Sequence, residues 1–190
     1  MPTSAPKKKV RAQWEGVIPA ITTPFRKDGK LDAAEIARQC RWMVASGCIG
    51  IVPCGSLGEG ATLTFDEKVR LIATCVAAVP GLPIIPGIAS LSTDEAVALA
   101  IASKQLGCGG LMVLPPYVYS TDWREMKAHV GAVISATRLS CMLYNNPVAY
   151  RTDFLPAQVA EHRHENLHGA GSVRLQVTTA DHALLGRKID

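Results

Sequence analysis

Apolar runs with strand character alternate with amphipathic stretches along most of the chain. Val17–Thr23 (VIPAITT) reads as a strand that ends at Pro24. A helix is predicted over Ala33–Ser46, because Asp32 is a good N-cap and Ile36, Cys40, Met43 and Val44 recur at helical spacing before Gly47. Cys48–Cys54 reads as a second, buried strand, with the glycine-rich turn Gly55–Gly60 behind it. Thr64 or Asp66 caps a second helix to about Ala78, broken by Pro80 and Gly81. Leu82–Ile88 is a third strand, and Thr93 or Asp94 opens a third helix, Glu95 to Leu106. Gly110–Leu114 follows as a fourth strand and Asp122 starts a fourth helix reaching about Thr137. Leu139–Tyr144 is a fifth strand and Phe154–His162 a fifth helix.

Continuous apolar strands separated by amphipathic helices imply parallel strands with helices outside. Either a barrel or an open doubly wound sheet satisfies that pattern. No GxGxxG opens the first helix. Polar and special residues collect where each strand ends: Thr22-Thr23, Gly55-Ser56, Ser90, Tyr117 and Tyr144-Asn145-Asn146. Barrel chemistry sits on such a ring, so the pattern favours the barrel without excluding the open sheet.

Length changes this picture. The 190 residues, 48% of them hydrophobic, can bury one substantial core. A complete eight-fold barrel typically takes about 250. Net charge is +4, much of it from Lys7, Lys8, Lys9 and Arg11. That segment, residues 1–13, reads as a solvated, disordered basic tail ahead of a barrel domain over 14–190. It lacks the apolar stretch of a secretory signal and any accompanying basic or aromatic stripe that would suit nucleic acid. No apolar run is long enough to span a bilayer. The six cysteines form no CxxC pair and sit mostly in apolar segments, as reduced core thiols of a cytoplasmic protein would. His162, His164 and His168 have no partner at ligand spacing, so no metal is expected.

Two places could carry chemistry. The Gly55-Ser56-Leu57-Gly58-Glu59 turn would offer backbone N–H groups to a carboxylate, and Ser56 a hydroxyl. An ordinary glycine-rich loop explains it equally well. Tyr144 and Tyr117 end strands, where a phenol is either a core ring or an acid/base group.

The stretches GVIPAITTPF, GSLGEGATLTFDEK, PIIPGIAS, GGLMVLPPYVY and LYNNP, in that order over about Trp14 to Leu167, resemble the dihydrodipicolinate synthase/N-acetylneuraminate lyase family. The resemblance implies an α/β fold, the (β/α)8 TIM barrel, usually assembled as a homotetramer. It implies a lyase or aldolase that holds a 2-oxo acid such as pyruvate as a Schiff base on a lysine, with no separate cofactor. Gly55, Ser56 and Leu57 match the turn that binds the 2-oxo acid carboxylate. Ser56 also matches the hydroxyl that relays protons with the tyrosine, and Tyr144 that acid/base tyrosine.

The chain departs from the family in four places. Leu57 stands where many members have a second Thr, Val118 where dihydrodipicolinate synthases have a second Tyr, and Ala149 where they have an Arg for the aldehyde substrate's carboxylate. These changes point toward members acting in sugar-acid or hydroxyproline breakdown. The fourth departure is the Schiff-base lysine, expected on strand six in a V-K-E-[ST]-[ST] segment. The window Gly169-Ala170-Gly171-Ser172-Val173 has none, and the next lysine is Lys188. Gly169 to Ser172 makes a poor strand. SVRLQVTTADHALLG resembles the helix that follows strand six, with Thr179–Leu185 helical in pattern. The expectation is an incomplete, truncated barrel of about five to six βα units with impaired activity. The alternative is a non-catalytic paralogue that binds 2-oxo acids or docks on full-length barrels through exposed strand edges.

Overall fold

The computed structural model describes residues 10–116, 122–166 and 173–177, with 162–166 and 173–177 described as backbone. The first expected strand meets the second through a parallel bridge, Ala20 to Val52, and the second meets the third through Ile51 and Ile84. The regular sheet then runs β1 (Gly87–Ile88), β2 (Gly110–Val113), β3 (Ser140–Asn145) and β4 (Val173–Val177), in that order and all parallel. The described residues therefore form an incomplete (β/α)8 barrel, an arc of parallel segments with helices between them.

Prolines explain why the early segments are bridges where strands were expected. Pro19, Pro53, Pro83 and Pro86 have no N–H to give, so each serves the arc only through its carbonyl. Val52 N donates to Pro19 O (2.9 Å), Ile51 N to Pro83 O (3.1 Å), Gly87 N to Pro53 O (2.8 Å) and Met112 N to Pro86 O (2.9 Å). The alignment survives while the ladder is interrupted.

The helices are α1 (Ala33–Ala45), α2 (Phe65–Ala78), α3 (Thr93–Gln105), α4 (Trp123–Ser135), α5 (Pro147–Tyr150) and α6 (Pro156–Asn166). Asp32 caps α1 through Glu35 N, and Asp122 caps α4 through Glu125 N, as expected. Thr64 and Glu67 form a reciprocal capping box on α2. On α3 the cap is Ser92, not Thr93 or Asp94. The Thr93 hydroxyl is engaged elsewhere, 2.9 Å from His129 Nδ1 across the α3–α4 contact. The fifth long helix starts at Pro156, two residues later than expected, because Phe154 N is held by Asn145 Oδ1 (3.1 Å).

Residues 173–177 also differ from the expectation. That stretch was expected to belong to a helix, yet it pairs with β3 in register, Cys141 with Val173 through Asn145 with Val177. Val173, Leu175 and Val177 alternate with Arg174 and Gln176, a period of two that suits a strand. Residues 167–172 and 178–190, with Thr179–Leu185 and Lys188, lie outside the described residues.

Successive side chains of β2 and β3 separate into two apolar layers. Leu111, Val113, Cys141 and Leu143 pack toward the helices, with Ile36, Leu71, Leu99 and Val130. Met112, Leu114 and Met142 pack on the opposite face with Val52 and Ile85. Burial on both faces is why these strands read as unbroken apolar runs. Of the expected tail, residues 1–9 lie outside the described residues, while Ala12 N donates to Gly109 O (2.9 Å). Trp14 Nε1 reaches Ser140 Oγ (2.9 Å), which closes the N-terminal ends of β2 and β3. The cysteines are free thiols, and all but Cys48 are buried. Among the described residues no helix is long and apolar enough to cross a membrane.

Burial holds the His129 imidazole below its ordinary pKa. The unfolded chain then takes up the proton first as pH falls through about 6.5. The stability lent by the neutral ring is complete above that value and is lost as pH falls from it through the folded-state pKa. Thermal midpoints of the wild type and His129→Gln between pH 8 and pH 5 should diverge on the acid side, the wild type falling faster. Parallel curves would refute this.

Candidate functional site

The site is built where the second segment stops. Cys54 takes a left-handed conformation, φ 60°, and Gly55 then leads into a single 3₁₀ turn, Ser56–Gly58, closed by Glu59 at φ 57°. Gly58 N and Gly60 N both donate to Gly55 O, at 3.0 and 3.1 Å, and Glu59 N to Ser56 O at 3.2 Å. The first N–H groups of such a turn have no acceptor within it, so those of Ser56 and Leu57 suit an anion. Two glycines are needed for space. A Cβ on Gly60 would overlap the Cys54 carbonyl, and one on Gly58 would sit 2.6 Å from Ile21 O. Thr23 Oγ1 donates to Gly58 O (2.6 Å) and pins the turn to the first segment.

Tyr144 lies on β3 and packs against the apolar face opposite the helices. The two asparagines after it have separate tasks. Asn145 is buried; its Nδ2 donates to Asp153 Oδ1 (2.7 Å) and its Oδ1 accepts from Phe154 N. It thereby fixes the far end of the loop. Asn146 accepts from Ala149 N (3.2 Å) to cap α5, and its Nδ2 donates to Tyr144 Oη (3.2 Å). Pro147 opens α5 and Arg151 ends it at φ 53°. One helical turn carries Tyr150 back over the site. Its ring meets that of Tyr144 edge to face, with centroids 6.2 Å apart, and its Oη donates to Ser56 Oγ at 2.8 Å.

Ser56 and the Tyr144 loop thus come together, across 94 positions of sequence. The phenol that meets Ser56 is Tyr150, where the resemblance pairs Ser56 with Tyr144; Tyr144 Oη is met by Asn146. The sequence alone assigns Tyr150 no role. The available signal was Asn146-Pro147, a cap followed by proline at the first helical position, which turns the chain back within one turn. Leu57 is 76% exposed and offers only its backbone to the turn, and Ala149 is exposed on α5. Tyr117 and Val118 lie outside the described residues.

The rest of the polar ring has other work. Ser90 donates to Glu95 Oε1 (3.3 Å), which also holds the buried Lys68 Nζ at 2.8 Å. Lys68 accordingly keeps the Glu95 carboxyl below its usual range. Burial pushes the Cys54 thiol up to about 12, so it is no thiolate nucleophile at neutral pH. No cluster of metal-ligating side chains occurs among the described residues. A hydroxyl, two phenols and free N–H donors can bind a small carboxylate and move protons beside it. Imine formation requires a primary amine in addition. On β4 the residue in register with Tyr144 is Gln176, and Val173–Val177 contains no lysine.

A model of the dihydrodipicolinate synthetase family matches residues 13–173. A 4-hydroxy-tetrahydrodipicolinate synthase of Agrobacterium fabrum is 35% identical over 159 residues, covering 82% of this chain and 54% of that protein. The enzyme of the same name from a Chelativorans species is 38% identical over 148 residues, covering 77% and 50%. The chain therefore spans about half the length of the curated relatives it matches. Among solved structures, YagE of Escherichia coli, a prophage protein of the dihydrodipicolinic acid synthase family in complex with pyruvate, superposes with a TM-score of 0.80 at 25% identity, covering 90% of this chain and 56% of that one.

Packing at the turn makes a direct prediction. Gly60→Ala should lower stability by about 1–3 kcal/mol, because the added methyl meets backbone that cannot rotate away. It should also disturb Ser56, whose neighbour Gly55 accepts through its carbonyl from Gly60 N. Urea unfolding of wild type and variant measures this; an unchanged midpoint would show that the turn is loosely held.

Proposed function

The chain belongs to the dihydrodipicolinate synthetase family, and on that premise we propose that it holds a 2-oxo acid such as pyruvate at the Gly55–Leu57 turn, as a lyase or aldolase of the family would, with its Schiff-base chemistry impaired. The observation that carries the binding half is the Tyr150–Ser56 hydrogen bond beside Tyr144, which gathers the hydroxyls over the turn. The pyruvate held by the related YagE supports the ligand class. In this reading the carboxylate takes the Ser56 and Leu57 N–H groups, and Tyr144 is the acid/base phenol.

The impaired half follows from the absence of an amine on β4. An imine needs a nitrogen that attacks the 2-oxo carbon, loses water and then draws electrons from the adjacent bond. Glutamine at 176 cannot do this, since its amide lone pair is delocalised, and loss of the nucleophile costs many orders of magnitude in rate. Binding without chemistry is favoured for this chain by the same observation. Leu57 and Ala149 favour the family's sugar-acid or hydroxyproline breakdown chemistry, because neither supplies the polar groups of a dipicolinate-forming site.

Two measurements on one sample test both halves. Calorimetric titration with pyruvate should show saturable binding; none would refute the site. Borohydride added to the pyruvate complex should leave the intact mass unchanged. A reduced adduct on any lysine, which records C=N reduced to a secondary amine, would refute the impairment.

A further inference from the structure

The resemblance assigns roles to the turn and to Tyr144 and none to Tyr150, yet Tyr150 makes the contact that joins them. We infer that Tyr150 is a positioning residue that fixes the Ser56 hydroxyl as a hydrogen-bond donor toward the oxo oxygen of a bound 2-oxo acid; this rests on the reading of the site given above.

A serine hydroxyl has one proton and two lone pairs, and a phenol likewise can give or accept. The phenol is the stronger acid of the two, so along the 2.8 Å line between them Tyr150 donates and Ser56 accepts. A hydroxyl that accepts along a direction cannot also donate along it. The Ser56 proton is thereby turned away from Tyr150. Of the nearby carbonyls, Gly55 O already takes two N–H groups and Ser56 O takes one. Ser56 is exposed at the strand ends, so its proton is open to a ligand oxygen. Donation by Tyr150 also polarises the serine O–H and strengthens the bond it makes onward.

Tyr150 is itself held for this task. Tyr150 N donates to Asn146 O (3.0 Å), Arg151 N to Pro147 O (2.9 Å) and Thr152 Oγ1 to Tyr150 O (3.3 Å). Its ring rests edge-on against Tyr144 and packs on the apolar cluster beneath. The phenol is therefore placed by backbone and by packing before any ligand arrives.

The test compares pyruvate with propionate, a carboxylate of the same chain length without the oxo oxygen, by calorimetry on the full chain. Tyr150→Phe keeps the ring and removes the donor. It should weaken pyruvate roughly three- to tenfold, the worth of one hydrogen bond, and leave propionate unchanged. Ser56→Ala should do at least as much, and the double variant should lose no more than Ser56→Ala alone. Equal losses for both acids, or additive losses, would overturn the inference. Pyruvate binding that Tyr150→Phe leaves intact would overturn this inference alone; a wild type that binds no pyruvate would overturn the 2-oxo acid site and the inference together. Thermal midpoints separate loss of fold from loss of the contact, and Ser56→Ala, at an exposed position, reads the same contact from its other end.

Discussion

Cys54 ends the second segment of the arc with its backbone in the left-handed region, and its carbonyl fills the space where side chains on two other residues would have to stand. A Cβ on Gly87 would lie 2.7 Å from that oxygen, and one on Gly60 would overlap it. This crowding joins β1, the second segment and the glycine turn into one unit. It fixes where Ser56 emerges, and so where Tyr150 can meet it. The turn's geometry thus depends on backbone packed against backbone, which leaves little freedom to any side chain but glycine.

From that point outward the site is assembled by short-range devices of the Tyr144 loop. Asn145 holds the loop's return, Asn146 caps α5, and Pro147 sets the first helical φ. Each device is local, but together they deliver a phenol to a serine 94 positions away. The amine that the proposed Schiff-base chemistry requires has no equivalent on β4. Arg174 is its one cationic residue, and a guanidinium stays protonated with its nitrogen lone pairs delocalised, so it cannot stand in as the amine. In the proposed reading, the proton-moving groups and the carbonyl-activating amine are separable parts of one mechanism, and β4 carries no amine for the second.

The helices were legible in the sequence because their signals are local. Asp32, Thr64 and Asp122 cap where they were expected, and the apolar spacing of Ile36 and Cys40 places both in the core. The cap of α3 was misplaced because Thr93 bonds His129 on another helix, a tertiary contact that no local pattern records. The strands were legible in position and order but not in extent, since Pro19, Pro53, Pro83 and Pro86 interrupt the ladder without moving the chain. Val173–Val177 resembles family sequence that belongs to a helix, while its own alternation marks the strand it forms. Ser56 and Tyr144 stand out by motif; Tyr150 does not, because its contact with Ser56 arises from where one helical turn aims it.

On the proposed reading, this chain holds a 2-oxo acid beside Ser56, Tyr144 and Tyr150 as a free ketone. Carbon-13 NMR of the chain saturated with [2-13C]pyruvate observes that carbon directly. The bound resonance should remain in the ketone or hydrate range, broadened or shifted by the site. A bound resonance in the imine range, present before any reductant is added, would contradict it.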